Sequence, residues 1–229
     1  MQPELIFLDT EATGNEPKKD RLVQVSYKTS KGTRTEYFKP SIPVSVKAMS
    51  VTHITNKFLE DKPAFEGSEM KGELRKLLKD GIMVAHNAPF DIAMLKTEGL
   101  EVPRFIDTLR VARHLDAENK IPEYNLQFLR YYLDLDIEAD AHDAEADVRV
   151  LEAVFKRLQA KMPDVQELIE ISSRPTLFKN FIFGKYKGQP IADVARTDRR
   201  YLEWLLAQKS ENEEAEEDWI FTLKHYLAI

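Results

Sequence analysis

The 229-residue sequence contains no cysteine. This absence excludes disulfide bonds, cysteine-ligated zinc and a thiol nucleophile, and it fits a reducing compartment, so we expect a cytoplasmic protein. No run approaches the ~18 consecutive apolar residues of a membrane-spanning helix. The first residues also lack the basic region and cleavage site of a secretory signal. We therefore expect neither a membrane partner nor secretion.

An overall excess of positive charge is also missing, because the formal net charge is −6. This value argues against a general polyanion binder. This average conceals an uneven distribution of charge along the chain. Residues 174–200 hold seven Lys or Arg and two Asp, a net charge of +5, whereas residues 210–218 (SENEEAEED) are strongly acidic. With 43% hydrophobic residues, the chain is long enough for one packed domain and a small module.

Hydrophobic periodicity indicates strands that alternate with helices. An apolar run and two further strand-like segments within residues 4–40 predict a β-meander. Further short strands and amphipathic helices follow, including a long helix that Asp143 should cap. This order predicts an α/β domain over residues 1–172, with a mixed sheet flanked by helices. Residues 173–229 begin basic and aromatic, and we expect them to form a small α+β module.

Two carboxylates follow the first strand in the stretch FLDTEATG, residues 7–14. Asp9 and Glu11 are two positions apart, so in a strand they point to the same face. Two like charges in a poorly solvated place are unfavourable unless something compensates them. Either the strand surfaces here and water solvates both acids, or a cation completes a site.

Two further acids occupy related positions. Asp91 lies in the first turn of a helix after a buried strand, where it could stabilise the helix dipole, but α/β sheets also bind ligands at this edge. Asp147 shares a helical stripe with Leu151, Val154 and Leu158, so it should face the sheet.

Four converging carboxylates call for compensating positive charge, which two divalent cations supply. Oxygen ligands without cysteine favour Mg²⁺ or Mn²⁺. Paired ions of this kind stabilise the attacking and leaving oxygens of a phosphoryl displacement. His142 precedes the predicted cap and can lie beside Asp147, where it would act as the general base.

Three motifs in this order resemble those of the DEDDh 3′–5′ exonucleases, which have an RNase H-like fold: DTE (9–11), HNAPFD (86–91) and HDAEAD (142–147). Residue 143 is Asp rather than Tyr, which implies the histidine variant of the family. The stretches AMSVTHIT and EDKPAF are similar to proofreading subunits of bacterial replicative polymerases. RPTLFKNFIFGKYKGQPIADVA and TLKHYL extend a resemblance to the exodeoxyribonuclease X type over nearly the whole chain.

The resemblance implies catalytic roles for the four acids and His142, and a turn at Ala12, Thr13 and Gly14 that cradles the terminal nucleotide. Small residues in that turn let backbone N–H groups approach a sugar and phosphate. Further substrate contacts are implied at Asn87, Phe90 and His53. The alternatives remain open: a helix cap for Asn87, a core position for Phe90 and a structural role for His53.

In the basic segment, Lys179, Lys185 and Lys187 interleave with Tyr186 and three phenylalanines. Cations with stacking rings suit single-stranded or frayed nucleic acid, but the rings could equally form the module's core beneath a solvated lysine face.

We therefore expect a 3′–5′ exodeoxyribonuclease that uses two divalent metal ions, releases nucleoside 5′-monophosphates and acts in DNA repair or proofreading. RNA 3′-end trimming by the same chemistry is one alternative. A non-catalytic nucleic-acid adaptor built on residues 174–229 is another.

Overall fold

The computed structural model describes residues 3–116, 118, 120–137, 144–212 and 216–229. The chain forms two compact units, Met1–Ser173 and Arg174–Ile229. None of the helices in these described ranges has the length and apolar character that a membrane crossing requires.

The first unit is built on a five-stranded mixed sheet. Its strands are β1 (Leu5–Ala12), β2 (Leu22–Thr29), β3 (Gly32–Tyr37), β4 (Ile82–Ala85) and β5 (Phe105–Asp107). Their spatial order is β3-β2-β1-β4-β5. The first three strands pair antiparallel, which confirms the predicted meander, and β4 pairs parallel to both β1 and β5. The strand β1 is therefore the centre of the sheet.

Helices connect and cover the strands. They are α1 (Val46–Thr52), α2 (Glu69–Asp80), α3 (Ala88–Thr97), α4 (Thr108–Leu115), α5 (Leu126–Tyr132), α6 (Ala144–Gln159) and α7 (Val165–Ser172). The helix α3 begins with a proline in its first turn, as the sequence predicts. The long predicted helix is α6, whereas its predicted cap, Asp143, lies outside the described residues.

The core lies on both faces of the sheet, because successive side chains of β1 point in opposite directions. Ile6 and Leu8 pack into the cluster that contains residues of α2 and α3. Phe7 packs into a second cluster with residues of α6, where its ring and that of Phe155 form an edge-to-face pair with a centroid distance of 5.4 Å. The end of β1 thus emerges between two helical layers.

The second unit contains α8 (Ile191–Thr197), α9 (Arg199–Lys209), a 3₁₀ turn at Ser210–Asn212 and α10 (Glu217–Leu227). We expected an α+β module, but its described part has a single isolated β-bridge, between Asn180 and Pro190. Gly184 and Gly188 adopt positive φ values of 73° and 85° between these bridge partners. Such left-handed positions turn the chain rather than extend it, so the segment forms one bridge instead of a strand pair.

Candidate active site

Three of the predicted acids meet at the end of β1. Asp9 and Glu11 are half-buried in the strand, and Asp147 is buried in the first turn of α6. One carboxylate oxygen from each residue lies within 4.8 Å of the others. Leu151 and Val154 continue the Asp147 stripe into the core, which explains why this acid faces the sheet. The three carboxylates form a group that can hold a metal ion.

Contacts from β2 fix α6 in this position. The buried Gln24 pairs with Glu11 across the β1–β2 ladder, and its Oε1 accepts a 3.3 Å hydrogen bond from the N–H of Ala144, the first residue of α6. Farther along the helix, Lys28 forms a 2.6 Å ion pair with Glu152. The start of α6 is therefore tied to the strand beside the acids.

Asp91 approaches β1 from the other layer and lies outside the group of three acids. Its carboxylate is 4% exposed and accepts a 2.7 Å hydrogen bond from the hydroxyl of Thr10, whose side chain points away from Asp9 and Glu11. Burial raises the pKa of Asp91 to about 7, an effect that the Thr10 hydrogen bond opposes and the nearby charge of Asp107 increases. The uncompensated negative charge is thus unfavourable at this position.

The turn at residues 12–14 is held from within the protein. The N–H of Thr13 donates to the carbonyl of Arg21 at 2.9 Å, and its hydroxyl donates to Asp20 at 2.7 Å. A Cβ on Gly14 would lie 2.5 Å from Oδ2 of Asp20, so the glycine makes room for this carboxylate. The Thr13 amide is therefore committed to the turn, and a backbone approach to a nucleotide stays a prediction for Ala12 and Gly14.

The other predicted substrate residues have mixed surroundings. Asn87 precedes α3 with a left-handed φ of 67°, and its side chain forms no capping hydrogen bond, whereas its N–H donates to Asp107 at 2.9 Å. Phe90 is partly buried and packs against the core. His53 is exposed at the end of α1, also with a positive φ of 58°. Substrate contacts by these residues stay predictions.

The predicted general base, His142, lies outside the described residues. His86, in the HNAPFD motif, is structural: Nδ1 lies 2.8 Å from the hydroxyl of Thr108 and Nε2 lies 2.7 Å from the carbonyl of Tyr124. Burial lowers the pKa of His86 to about 4, so its imidazole is neutral near pH 7.

The aromatic residues of the second unit mostly form its core. Phe178 and Phe181 are buried and stack on Trp219. Tyr186 donates from its hydroxyl to Asp198 at 2.6 Å, and Lys185 forms a 3.2 Å ion pair with the same carboxylate. Lys179, Lys185 and Lys187 remain exposed. The phenylalanines therefore form the core of the second unit, as one of the two alternatives predicted, while the lysines lie at the surface.

Sequence reasoning missed three polar residues that support the acids, namely Thr10, Gln24 and Gln127. Thr10 could have been identified, because strand alternation places it opposite Asp9 and Glu11. The two glutamines had no comparable signal, since each contact joins residues that are distant in the chain.

Residues 6–155 match a protein family described as Exonuclease, and residues 181–210 match one described as Exodeoxyribonuclease X-like C-terminal. Exodeoxyribonuclease 10 of Escherichia coli K12 is 30% identical over 200 residues, which cover 82% of each chain. The DNA polymerase III subunit epsilon of Treponema pallidum is 29% identical over 163 residues, covering 66% of this chain and 74% of the subunit.

Among solved structures, Exonuclease X in complex with 5′ overhanging duplex DNA superposes with a TM-score of 0.61 at 23% identity. The match covers 74% of this chain and 99% of that one. Escherichia coli Exonuclease I in complex with a dA16 oligonucleotide gives a TM-score of 0.59 at 20% identity, covering 74% and 42% of the two chains. These similarities confirm the RNase H-like exonuclease fold.

The fold and the acidic site together define a nuclease, and the chain belongs to the exonuclease family. Within that family, its C-terminal segment has the exodeoxyribonuclease X-like type of sequence.

Proposed function

We propose that this protein is a metal-dependent 3′–5′ exodeoxyribonuclease that releases nucleoside 5′-monophosphates from DNA 3′ ends. The observation that carries the proposal is the convergence of Asp9, Glu11 and Asp147 in a chain of the exonuclease family. Solvated strand-end acids, the alternative for Asp9 and Glu11, do not account for a buried third carboxylate that reaches the same point from another element.

The residues present fit divalent cations. One oxygen from each of three carboxylates lies within 4.8 Å of the other two, and the buried Asp91 is an acid whose charge a cation would stabilise. An all-oxygen donor set of this kind favours Mg²⁺ or Mn²⁺. We propose that two such ions bind, with Asp91 serving the second. When bound, they supply electrostatic stabilisation to the phosphoryl group during hydrolysis.

We assign the proton transfer to His142, which accepts a proton from the water that attacks the terminal phosphodiester. The oxygen that leaves is the 3′-oxygen of the penultimate nucleotide, so a nucleoside 5′-monophosphate is released. Ala12, Gly14, Asn87, Phe90 and His53 are the proposed contacts to the terminal nucleotide.

DNA is the favoured substrate, because the named relatives are an exodeoxyribonuclease and a DNA polymerase subunit. These bacterial relatives also favour a cytoplasmic location and a role in repair or proofreading. The set of four acids and a histidine argues against a non-catalytic adaptor, which has no need of them.

The test uses 5′-labelled DNA and RNA oligonucleotides of matched sequence with Mg²⁺, Mn²⁺ or a chelator. We expect a ladder that shortens from the 3′ end of the DNA, mononucleotide products, and no cleavage in chelator. Asp147→Asn should be folded and inactive. His142→Ala should lower turnover by roughly 10²- to 10⁴-fold, as expected for loss of a general base, while metal binding persists. Faster trimming of RNA, or near-parental activity of Asp147→Asn, would contradict the proposal.

We further propose that the second unit contacts nucleic acid through Lys179, Lys185 and Lys187, whose exposure supports this role. Tyr186 is a weaker candidate, because its hydroxyl is bonded to Asp198 and its ring packs against the core. Truncation after Ser173 should weaken DNA binding and flatten its salt dependence by about one unit of slope for each lost phosphate contact. Equal slopes for the two proteins would argue against the role.

A further inference from the structure

Asp147 receives a hydrogen bond from a residue that belongs to none of the three motifs. Gln127, in α5, donates from Nε2 to Oδ1 of Asp147 at 2.7 Å. The two helices pack against each other, and neither side chain of the pair is exposed. The contact is therefore partly buried and lies beside the acidic group.

A second contact fixes the direction of the Gln127 amide. Nη1 of Arg130 lies 3.2 Å from Oε1 of Gln127. A guanidinium can only donate, so the amide oxygen must face Arg130 and the NH₂ group must face Asp147. Arg130 is itself 9% exposed, contacts the carbonyl of Ile137 and lies over the ring of Tyr131, with Cζ 5.0 Å from the ring centroid. The order Arg130, Gln127, Asp147 thus has one consistent set of donors and acceptors.

This arrangement suits a metal-binding carboxylate. A hydrogen bond to one carboxylate oxygen limits rotation of the group and so fixes the direction in which it presents its oxygens. Hydrogen-bonding partners of ligands commonly orient them in this way. The amide is neutral, so it restrains Asp147 without supplying a positive charge that would compete with a cation.

We propose that Gln127 is a positioning residue that orients Asp147 toward the divalent cation, with Arg130 holding the Gln127 amide in place. The inference rests on the metal site of the proposed function. It goes beyond that function because it assigns a role to α5, which supplies none of the four acids.

The test compares Gln127→Met, which keeps the length of the side chain and removes the donor, with Gln166→Met, the same change at an exposed position in α7. The first readout is Mn²⁺ binding measured by calorimetry in the absence of DNA. We expect Gln127→Met to raise the Kd by about 10- to 100-fold, the usual effect of losing such a partner. Gln166→Met should match the parent.

The second readout is the rate of DNA cleavage against Mg²⁺ concentration. Loss of positioning should move the curve of Gln127→Met to higher metal concentration and restore much of the rate at saturation. A merely structural role would lower the folded fraction without shifting the metal dependence of the folded enzyme.

Unchanged Mn²⁺ affinity in a folded Gln127→Met protein would overturn the inference, as would an equal loss in Gln166→Met. If Gln127→Met does not fold, Gln127→Asn keeps an amide but shortens its reach, and the same rise in Kd is expected. Failure of the parent to bind Mn²⁺ would instead refute the proposed metal site itself.

Discussion

Because the carboxylate of Asp91 is buried, we expect Asp91→Asn to raise the free energy of unfolding of the metal-free protein. Asn has nearly the same shape as Asp and can still accept the Thr10 hydrogen bond through its amide oxygen. What the substitution removes is a negative charge held among buried groups, with Asp107 nearby. Most core substitutions destabilise, so the direction of this change is informative.

The magnitude follows from proton linkage. The pKa of Asp91 is raised from 3.8 to about 7, so between these values the folded state binds a proton that the unfolded state has released. The stability contributed by this proton is complete below pH 4 and is lost as pH rises through 7. The loss corresponds to at most about 4 kcal/mol, because each pKa unit is worth about 1.4 kcal/mol.

Urea unfolding of the parent and of Asp91→Asn in chelator, at pH 4.5 and pH 8, measures this effect directly. At pH 8 the variant should be more stable by up to about 4 kcal/mol, and at pH 4.5 the difference should be small. Saturating Mg²⁺ should stabilise the parent more than the variant and so reduce the difference between their free energies of unfolding. Thr10→Val is the matched control, because it removes a hydrogen bond to the ionised group and should destabilise at pH 8 by about 1.5 to 3 kcal/mol.

A variant that is less stable than the parent at pH 8 in chelator would refute this reasoning. That result would mean that hydrogen bonds within the fold already compensate the charge of Asp91. Asp91 would then be a structural acid rather than a ligand of the proposed cation.

Two other predictions concern the surroundings of the site. His86→Gln should abolish a pH dependence of stability. Because the pKa of His86 is lowered to about 4 in the folded protein, the parent is fully stabilised above pH 6.5 and loses up to about 3 kcal/mol relative to the variant as pH falls to 4. Unfolding of both proteins in chelator across this pH range measures the difference. Gly14→Ala should destabilise by about 1 to 3 kcal/mol, because Asp20 is held by Thr13 and by the N–H of Glu16 and cannot easily move away from the new Cβ. Gly72→Ala, inside α2 with open space around the new methyl group, should instead stabilise by about 0.5 to 1 kcal/mol, and equal melting-temperature shifts in the two alanine variants would contradict the steric explanation.

The sequence predicts the site well where local periodicity determines the direction in which a side chain points. Strand alternation places Asp9 and Glu11 on one face, and the helical stripe from Asp147 to Leu158 turns that acid toward the sheet. Both expectations follow from geometry that a few consecutive residues determine.

Contacts between distant residues could not be predicted in the same way. We expected Asp91 to converge with the other three acids, but it lies outside their group and accepts a hydrogen bond from Thr10, so its part in the metal site stays a proposal. The contact between Gln127 and Asp147 depends on how α5 packs on α6, and no local pattern specifies that packing. In the second unit, the hydrophobic content correctly indicated a core. The expected strands are replaced by an isolated bridge, because Gly184 and Gly188 turn the chain between the bridge partners.

The separation of the acids along the chain has a consequence for biosynthesis. Asp9 and Glu11 are synthesised before the other acids, whereas Asp147, in α6, is synthesised only after all five described strands of the sheet. Asp91 is delivered from the opposite layer, so neither layer alone completes the set. A nascent or partly folded chain therefore lacks the assembled acids, and we expect the proposed nuclease activity to appear only after both layers have packed against β1. Partial proteolysis that removes α6 should likewise abolish the proposed activity, because it removes Asp147.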